Sequence, residues 1–555
     1  MKSIFDIHKK LGLVTQENGK EVNKDGLCTR KKLKDTSGNN IFDLYDKNVI
    51  NYKSNDKVEY SLKKLAPHSF FLFNNEPLLL FFDNPKKSIE DLSKDIWNFN
   101  KSALIFVNRP QELRIYNGFN YEKSGLLEVF ETINNVTDFD KLNQYSYWKI
   151  VTAELWNTKD EKFKNNTRVD KKLLDNIKVA RNILIGKDKN EQIENPLHEK
   201  HANRIIGRLI FIRYLIDRKV NFDYGDNGNE LLTKDELPYL ILQKEKLFTF
   251  FEYLLDKFKG NILPLNGEKD DIQQNHLEIL SRLFAGDNIK NRQRSLFNIF
   301  DFDFIPVELI SNIYETFLSE TQDRDKAFYT PPFLVDYVLS QTVKPFIDKQ
   351  TNAELISCKT TDMTCGSGIF LCETLRTIIN KYVELASPNH SSKEFKKTIK
   401  QLLKDNIFGN DINQEAVEIA KFSLFITLLD YFESPKDIAD FEFPDISGNF
   451  YNEDVFSCKL DDIFGENKKI EPDFILGNPP WGKLYEKSDY IDYCKDRASN
   501  ETIEKKERWL KENKDLSDFK PVEIKISNKE FAQAFLLRLS DFSTEKTVCQ
   551  VIVTS

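Results

Sequence analysis

The sequence predicts an α/β protein that finishes in an open parallel sheet, preceded by a helical segment and an N-terminal mixed α/β segment. Two observations predict it. Beyond about residue 319, short apolar runs alternate with helical stretches, the pattern of strands joined by crossover helices. Several of those runs stop at a carboxylate, a glycine turn or a proline pair, the residue types found where parallel strands meet their ligands.

At 555 residues the chain exceeds one core, and one domain per roughly 150 residues suggests two to four. We place boundaries at 1–165, 166–318 and 319–555. Net charge is −8, which excludes a global basic footprint, so any nucleic-acid contact must use local patches. The seven cysteines form no C-x-x-C pair, so neither a zinc site nor a disulfide framework is signalled; we expect no metal and reduced thiols. No apolar run is long enough for a membrane span, which predicts no membrane contact and a cytoplasmic chain.

In the first segment, HSFFLFNNEPLLLFFD reads as a hairpin turning at Asn74, Asn75, Glu76 and Pro77. SALIFV and ELRIYNGF read as a second strand pair, with a helix from about Ser88 to Trp97 before them. From 166 to 318 the period becomes helical. In ANRIIGRLIFIRYLIDRKV, Ile205, Leu209, Ile212 and Leu215 fall three and four apart, so one face is expected to be apolar. QNHLEILSRLF and PVELISNIYETFLSE repeat the pattern.

In the last segment, DMTCGSGIF is a strand end carrying Asp362, then a turn with Gly366, Ser367 and Gly368, then a helix. Two glycines there let a ligand approach the backbone and leave amide donors at a helix start. The next strand ends at Asp411, about twice the usual distance onward, because two helices intervene; an acid at this position can accept from ribose hydroxyls. Asp454 stands near the next expected strand end, and PDFILGNPPW runs a fourth strand into Asn478, Pro479, Pro480 and Trp481. Neither proline has a donor and each forces the preceding residue towards extended geometry, leaving backbone carbonyls free.

The ordered series YTP, DMTCGSG, GNDI, EDVF, GNPPW resembles that of amino-group DNA methyltransferases using S-adenosylmethionine. It is most similar to the gamma-type N6-adenine enzymes of the Eco57I-like restriction–modification and phage-defence group. The resemblance covers about residues 305 to 555, and the helical stretches before it extend the likeness. It implies a Rossmann-like methyltransferase domain and double-stranded DNA with a flipped adenine as substrate. It also implies roles. Asn478 and Pro479 would accept from the target amine, held by Pro480, and Trp481 would stack on the base. Tyr329, Thr330 and Pro331 would border the methionyl group, with Gly366, Ser367 and Gly368 beneath it. Asp411 would hold the ribose, Ile412 would pack on the cofactor adenine, Asp454 would accept from its amino group, and Asp362 would orient the turn or the methionyl ammonium. Met363 replaces the family's usual proline, which should loosen the turn slightly.

Family members continue into a further hairpin and a target-recognition domain. Here the sequence ends at VIVTS, so we expect either a fragment or completion by a partner chain supplying target recognition or a nuclease. Three rival readings remain. One is a non-catalytic, cofactor-sensing subunit; another is cytosine amino methylation, whose enzymes usually carry Ser at the Asn478 position. The third is a bifunctional restriction enzyme with an N-terminal nuclease. For the nuclease, Asp83-Asn84-Pro85-Lys86 puts proline where a PD-(D/E)xK site needs lysine, so a degenerate relative is expected. His198 and His201 have metal-like spacing without a nearby third ligand, and a helix start is preferred. The stretch 495–520 after Trp481 carries both signs of charge and reads as a solvated helix, with a DNA-facing lid as the sharper alternative.

Overall fold

Two sheets of opposite character sit on one continuous core. A computed structural model describes residues 3–29, 31–34, 40–43, 56–73, 76–134, 136–163, 167–222, 232–259, 265, 267–289, 300–304, 330–432, 434–457, 471–480, 488–512, 516, 519–524, 526 and 531–553. Tyr329, Trp481, the turn residues Asn74 and Asn75 and the stretch PVELISNIYETFLSE lie outside the described residues.

The N-terminal part contains two small hairpins, β1 (Val14–Glu17) with β2 (Lys20–Asn23) and β4 (Lys31–Lys34) with β5 (Asn40–Asp43). Its main sheet is built from β3 (Leu27–Thr29), β6 (Ser69–Phe73), β7 (Glu76–Asp83), β8 (Leu104–Asn108), β9 (Leu113–Tyr121) and β10 (Leu127–Ile133), in the order β10-β9-β8-β7-β6-β3. β6–β7 and β8–β9 are the two antiparallel pairs read from sequence. The helix Ile89–Phe99 carries the chain from β7 to β8, which therefore pair in parallel. The run LLLFF is apolar without interruption because both faces of β7 are covered. Leu80 and Phe82 face the large core, while Leu79 and Phe81 face a second cluster around Leu11, Leu142 and Tyr145.

The helix Glu199–Asp217 departs from its amphipathic reading. Every residue from Ala202 to Ile216 is buried, arginines included. Its polar positions survive burial because each guanidinium meets a carboxylate: Arg204 with Glu418 at 2.8 Å, Arg213 with Asp217 at 2.9 Å, and Arg208 with Glu268. His198 caps this helix by accepting from Lys200 N, and His201 pairs with Asp271, so the helix-start reading fits both. Phe211 meets Phe422 edge-on and the Tyr214 hydroxyl donates to Asp430 at 3.2 Å, which seats the helix against the last sheet's helix Gln414–Leu429.

The last sheet comprises β11 (Thr360–Asp362), β12 (Ile407–Asn410), β13 (Phe450–Tyr451), β14 (Phe474–Gly477) and β15 (Val548–Val551). Its order is β13-β12-β11-β14-β15 and every pairing is parallel. The helices Ile369–Ala386 and Lys393–Asn406 fill the long gap between β11 and β12. The chain is thus a mixed α/β fold with a central sheet whose crossovers reverse direction between β11 and β14, the crevice where open α/β sheets bind ligands. The segment after Asn-Pro-Pro forms the helix Ser488–Glu512, and no described helix is long and apolar enough to cross a membrane.

Candidate active site

The carboxyl ends of β11, β12 and β14 bring the predicted residues to one edge. Asp362 closes β11, is fully enclosed, and accepts from Thr364 N at 3.0 Å. Burial, with a smaller push from Asp411, raises its carboxyl to about 8, so it is largely protonated at neutral pH. On its other side stands Gly477: a Cβ at that position would lie 2.7 Å from Asp362 Oδ1. The absence of a side chain at Gly477 is therefore what lets β11 and β14 close on the carboxyl.

The glycine turn follows from the backbone it must make. Gly366 and Gly368 have φ of 52° and 82°, in the left-handed region that glycine enters without strain. Gly368 also lies against Ala420, 3.1 Å from an added Cβ, which packs the start of the helix Ile369–Ala386 onto the helix Gln414–Leu429. Gly366 has nothing among the described residues within 4 Å of such a Cβ, leaving an open cradle above the turn. Ser367 is buried within the turn. Met363 is buried with Val455, Phe456, Ile475 and Phe535, and its carbonyl accepts from Asn410. Burial and that hydrogen bond hold Met363 in place within the turn.

Asp411 stands just past β12. Its Oδ2 accepts from Gly366 N at 3.0 Å and its Oδ1 from Asn413 N at 2.9 Å. A carboxylate oxygen can take part in more than one hydrogen bond. Ile412 beside it is 53% exposed, an apolar platform at the site's edge. Asp454 lies three residues beyond β13, not at its end, and its Oδ1 caps Phe456 N at 2.9 Å. Thiol chemistry is disfavoured here. Burial, reinforced by Asp411 and Asp362, pushes the Cys365 thiol well above its usual range.

At the end of β14 the ladder stops at Gly477, and Asn478, Pro479 and Pro480 leave the sheet. Asn478 Nδ2 donates to Thr330 Oγ1 at 3.1 Å. In this arrangement the carbonyl oxygen lies on the side of the amide away from Thr330. The sequence reading placed Thr330 beside the methionyl group; in the structure its hydroxyl contacts Asn478. Pro331 caps the helix Pro332–Gln341.

One residue escaped the sequence reading. Asn410, fully buried at the end of β12, donates to Met363 O and Glu453 O and accepts from Glu453 N, joining the turns that carry Asp362 and Asp454. Its signal was a polar residue closing an otherwise apolar strand. In the N-terminal sheet, Asp83 accepts from Asn108 Nδ2 at 2.8 Å across the β7–β8 ends. Among the described residues no group of three or more His, Cys, Asp or Glu is placed to hold a metal ion.

Comparison with known proteins places part of the last segment in a described family. Residues 405–530 match the family model described as Eco57I restriction-modification methylase. The chain is 25% identical over 336 residues to the type II restriction enzyme and methyltransferase RM.Eco57I of Escherichia coli, covering 52% of this chain and 32% of that protein. It is 28% identical over 120 residues to the adenine-specific methyltransferase PglX of Streptomyces coelicolor, covering 22% of this chain and 9% of the relative. Among solved structures, the type IIL restriction-modification enzyme MmeI in complex with DNA aligns over 69% of this chain and 50% of its own, at 14% identity and a TM-score of 0.41. The chain thus spans about a third or less of the curated relatives it matches, and over residues 405–530 it matches the Eco57I restriction-modification methylases.

Proposed function

We propose that the chain is the methyltransferase part of a restriction–modification or phage-defence protein and transfers a methyl group from S-adenosylmethionine to the N6 amino group of adenine in DNA. The observation that carries this is the hydrogen bond from Asn478 to Thr330 at the sheet's reversal point, next to Asp362, the glycine turn and Asp411. An amide carbonyl aimed out of the ladder and followed by two prolines is an arrangement for accepting from an amine.

The residues present fit S-adenosylmethionine: the cradle over Gly366, the Asp411 carboxylate and the exposed Ile412 side chain suit a methionyl chain, a ribose and a purine respectively. When bound, the cofactor supplies an electrophilic methyl on sulfur. The protein's own work is positional. The exocyclic amine of adenine is a poor nucleophile because its lone pair is delocalised into the ring. Asn478 Oδ1 and Pro479 O, accepting from its two hydrogens, favour a tetrahedral nitrogen whose lone pair can attack. Little basicity is required, since the proton leaves only after the nitrogen has become cationic, so orientation and electrostatics supply the rate. A base inside a duplex cannot reach this point and is rotated out at a cost of a few kcal/mol. Trp481 is assigned the face on which it restacks, a contact of about 1–3 kcal/mol.

Incubation of the protein with tritiated S-adenosylmethionine and duplex DNA, followed by nucleoside analysis, tests the reading. N6-methyladenine is the expected product, formed far more slowly with Asn478→Ala. N4-methylcytosine as the product would overturn the base assignment.

A further inference from the structure

The helix that follows Asn-Pro-Pro is latched to the turn bearing Asp454. Asp541 is the hub: Oδ2 accepts from the Tyr493 hydroxyl at 2.6 Å and from Arg538 at 2.8 Å, and Oδ1 accepts from Arg497 at 2.7 Å. Arg538 reaches in the other direction, its Nε donating to Val455 O at 2.8 Å. Its guanidinium also lies over the rings of Tyr493 and Phe542, 5.1 and 4.7 Å from their centroids. Val455 directly follows Asp454, whose carboxylate caps Phe456 N, and the Phe456 ring packs against Tyr493 and Phe531. A cavity of about 630 Å³ opens beside this cluster, lined by Phe456, Tyr493, Arg497, Glu501, Arg538 and Asp541.

We propose that Arg538 is a positioning residue for the cofactor's purine: by holding Val455 O it fixes the turn that presents Asp454, and through Asp541 it ties that turn to the helix Ser488–Glu512. The inference rests on the reading of Asp454 as the acceptor for the cofactor's adenine amino group. Arginine suits the task because its planar fork can serve a carbonyl and a carboxylate at once while stacking on aromatic rings. Asn410 holds this turn at Glu453 and the Asp454 carboxylate caps Phe456 N, so Arg538 supplies the fixed point at Val455, directly after Asp454.

Calorimetric titration with S-adenosylhomocysteine tests this, alongside an analogue whose adenine amino group is replaced by hydrogen. For Arg538→Met, affinity for S-adenosylhomocysteine should fall about tenfold, the scale of one charge-assisted hydrogen bond, while affinity for the analogue stays within about twofold. Arg538→Lys, which keeps a donor for Val455 O, should recover most of the loss. Equal weakening for both ligands, or no weakening, would overturn the inference while leaving the cofactor site standing. A wild-type protein that binds neither ligand would overturn the cofactor reading itself, and the inference with it.

Discussion

Asn478 and Thr330, 148 residues apart in the chain, are joined by a 3.1 Å hydrogen bond from amide to hydroxyl. The residue just past the fourth parallel strand is thus tied to the segment leading into the helix Pro332–Gln341, outside the sheet. A proline pair can rigidify a backbone, but it cannot decide which way a side-chain amide faces.

Thr330→Val should therefore lower the methyl-transfer rate about tenfold with little change in cofactor affinity, since it removes the orienting acceptor and leaves the amide present. Asn478→Ala should lower it by about 10²–10³, the usual cost of deleting one preorganised polar group at a reacting centre. Single-turnover kinetics with tritiated cofactor would measure both, and equal effects of the two changes would contradict the orienting role.

Asp411→Ala should abolish S-adenosylmethionine binding, because it removes both the proposed ribose acceptor and the carboxylate that fixes Gly366 N. Unchanged affinity by calorimetry would show that the cofactor lies elsewhere.

Stability should fall as pH rises from about 4 to about 8 because of Asp362. Its folded-state carboxyl is raised to about 8 by burial, above its unfolded value, so the native state holds more protons than the unfolded state across that window. Asp362→Asn should flatten this part of the profile, measured by urea unfolding at a series of pH values. A profile with unchanged slope would mean that the carboxyl is not the source.

Gly477→Ala should destabilise the protein by about 1–3 kcal/mol through overpacking, because the new methyl would lie 2.7 Å from Asp362 Oδ1. Combining it with Asp362→Ala should cost less than the sum of the two single changes. Additivity within error would place the strain somewhere else.

Arg204→Met should cost about 1.5–3 kcal/mol, since it leaves the part-buried Glu418 carboxylate without its guanidinium. Adding Glu418→Gln should restore part of that loss in thermal unfolding. Such coupling would establish that the buried helix and the last sheet unfold together.

Much of the last segment was legible because its chemistry is local. A glycine turn, a carboxylate past a strand and a proline pair each declare themselves in a few residues, and the structure puts Asp362, Gly366, Asp411 and Asn478 along neighbouring strand ends. Asp454 fits less simply, since β13 ends three residues earlier. The hairpins of the first sheet were legible from apolar runs broken by turn residues, whereas β3 and β10 were not read as strands. The helix Glu199–Asp217 and its apolar face were legible, but the burial of its arginines was not, because the carboxylates that permit it come from as far as Glu418. Asn410 was passed over for a similar reason, since its three hydrogen bonds run to residues about 40 to 50 positions away.

The amino-acid sequence by itself determined the strand ends, the turn geometry and the residue types available at the edge of the parallel sheet. Backbone sterics at glycine and proline act within two or three residues and need no partner. Only the tertiary structure decided that Asn478 meets Thr330, that burial against Gly477 raises the Asp362 carboxyl, and that Arg538 and Asp541 tie the helix after the proline pair to the turn at Asp454. Those outcomes depend on burial and on partners brought together from distant segments, and both are created by packing.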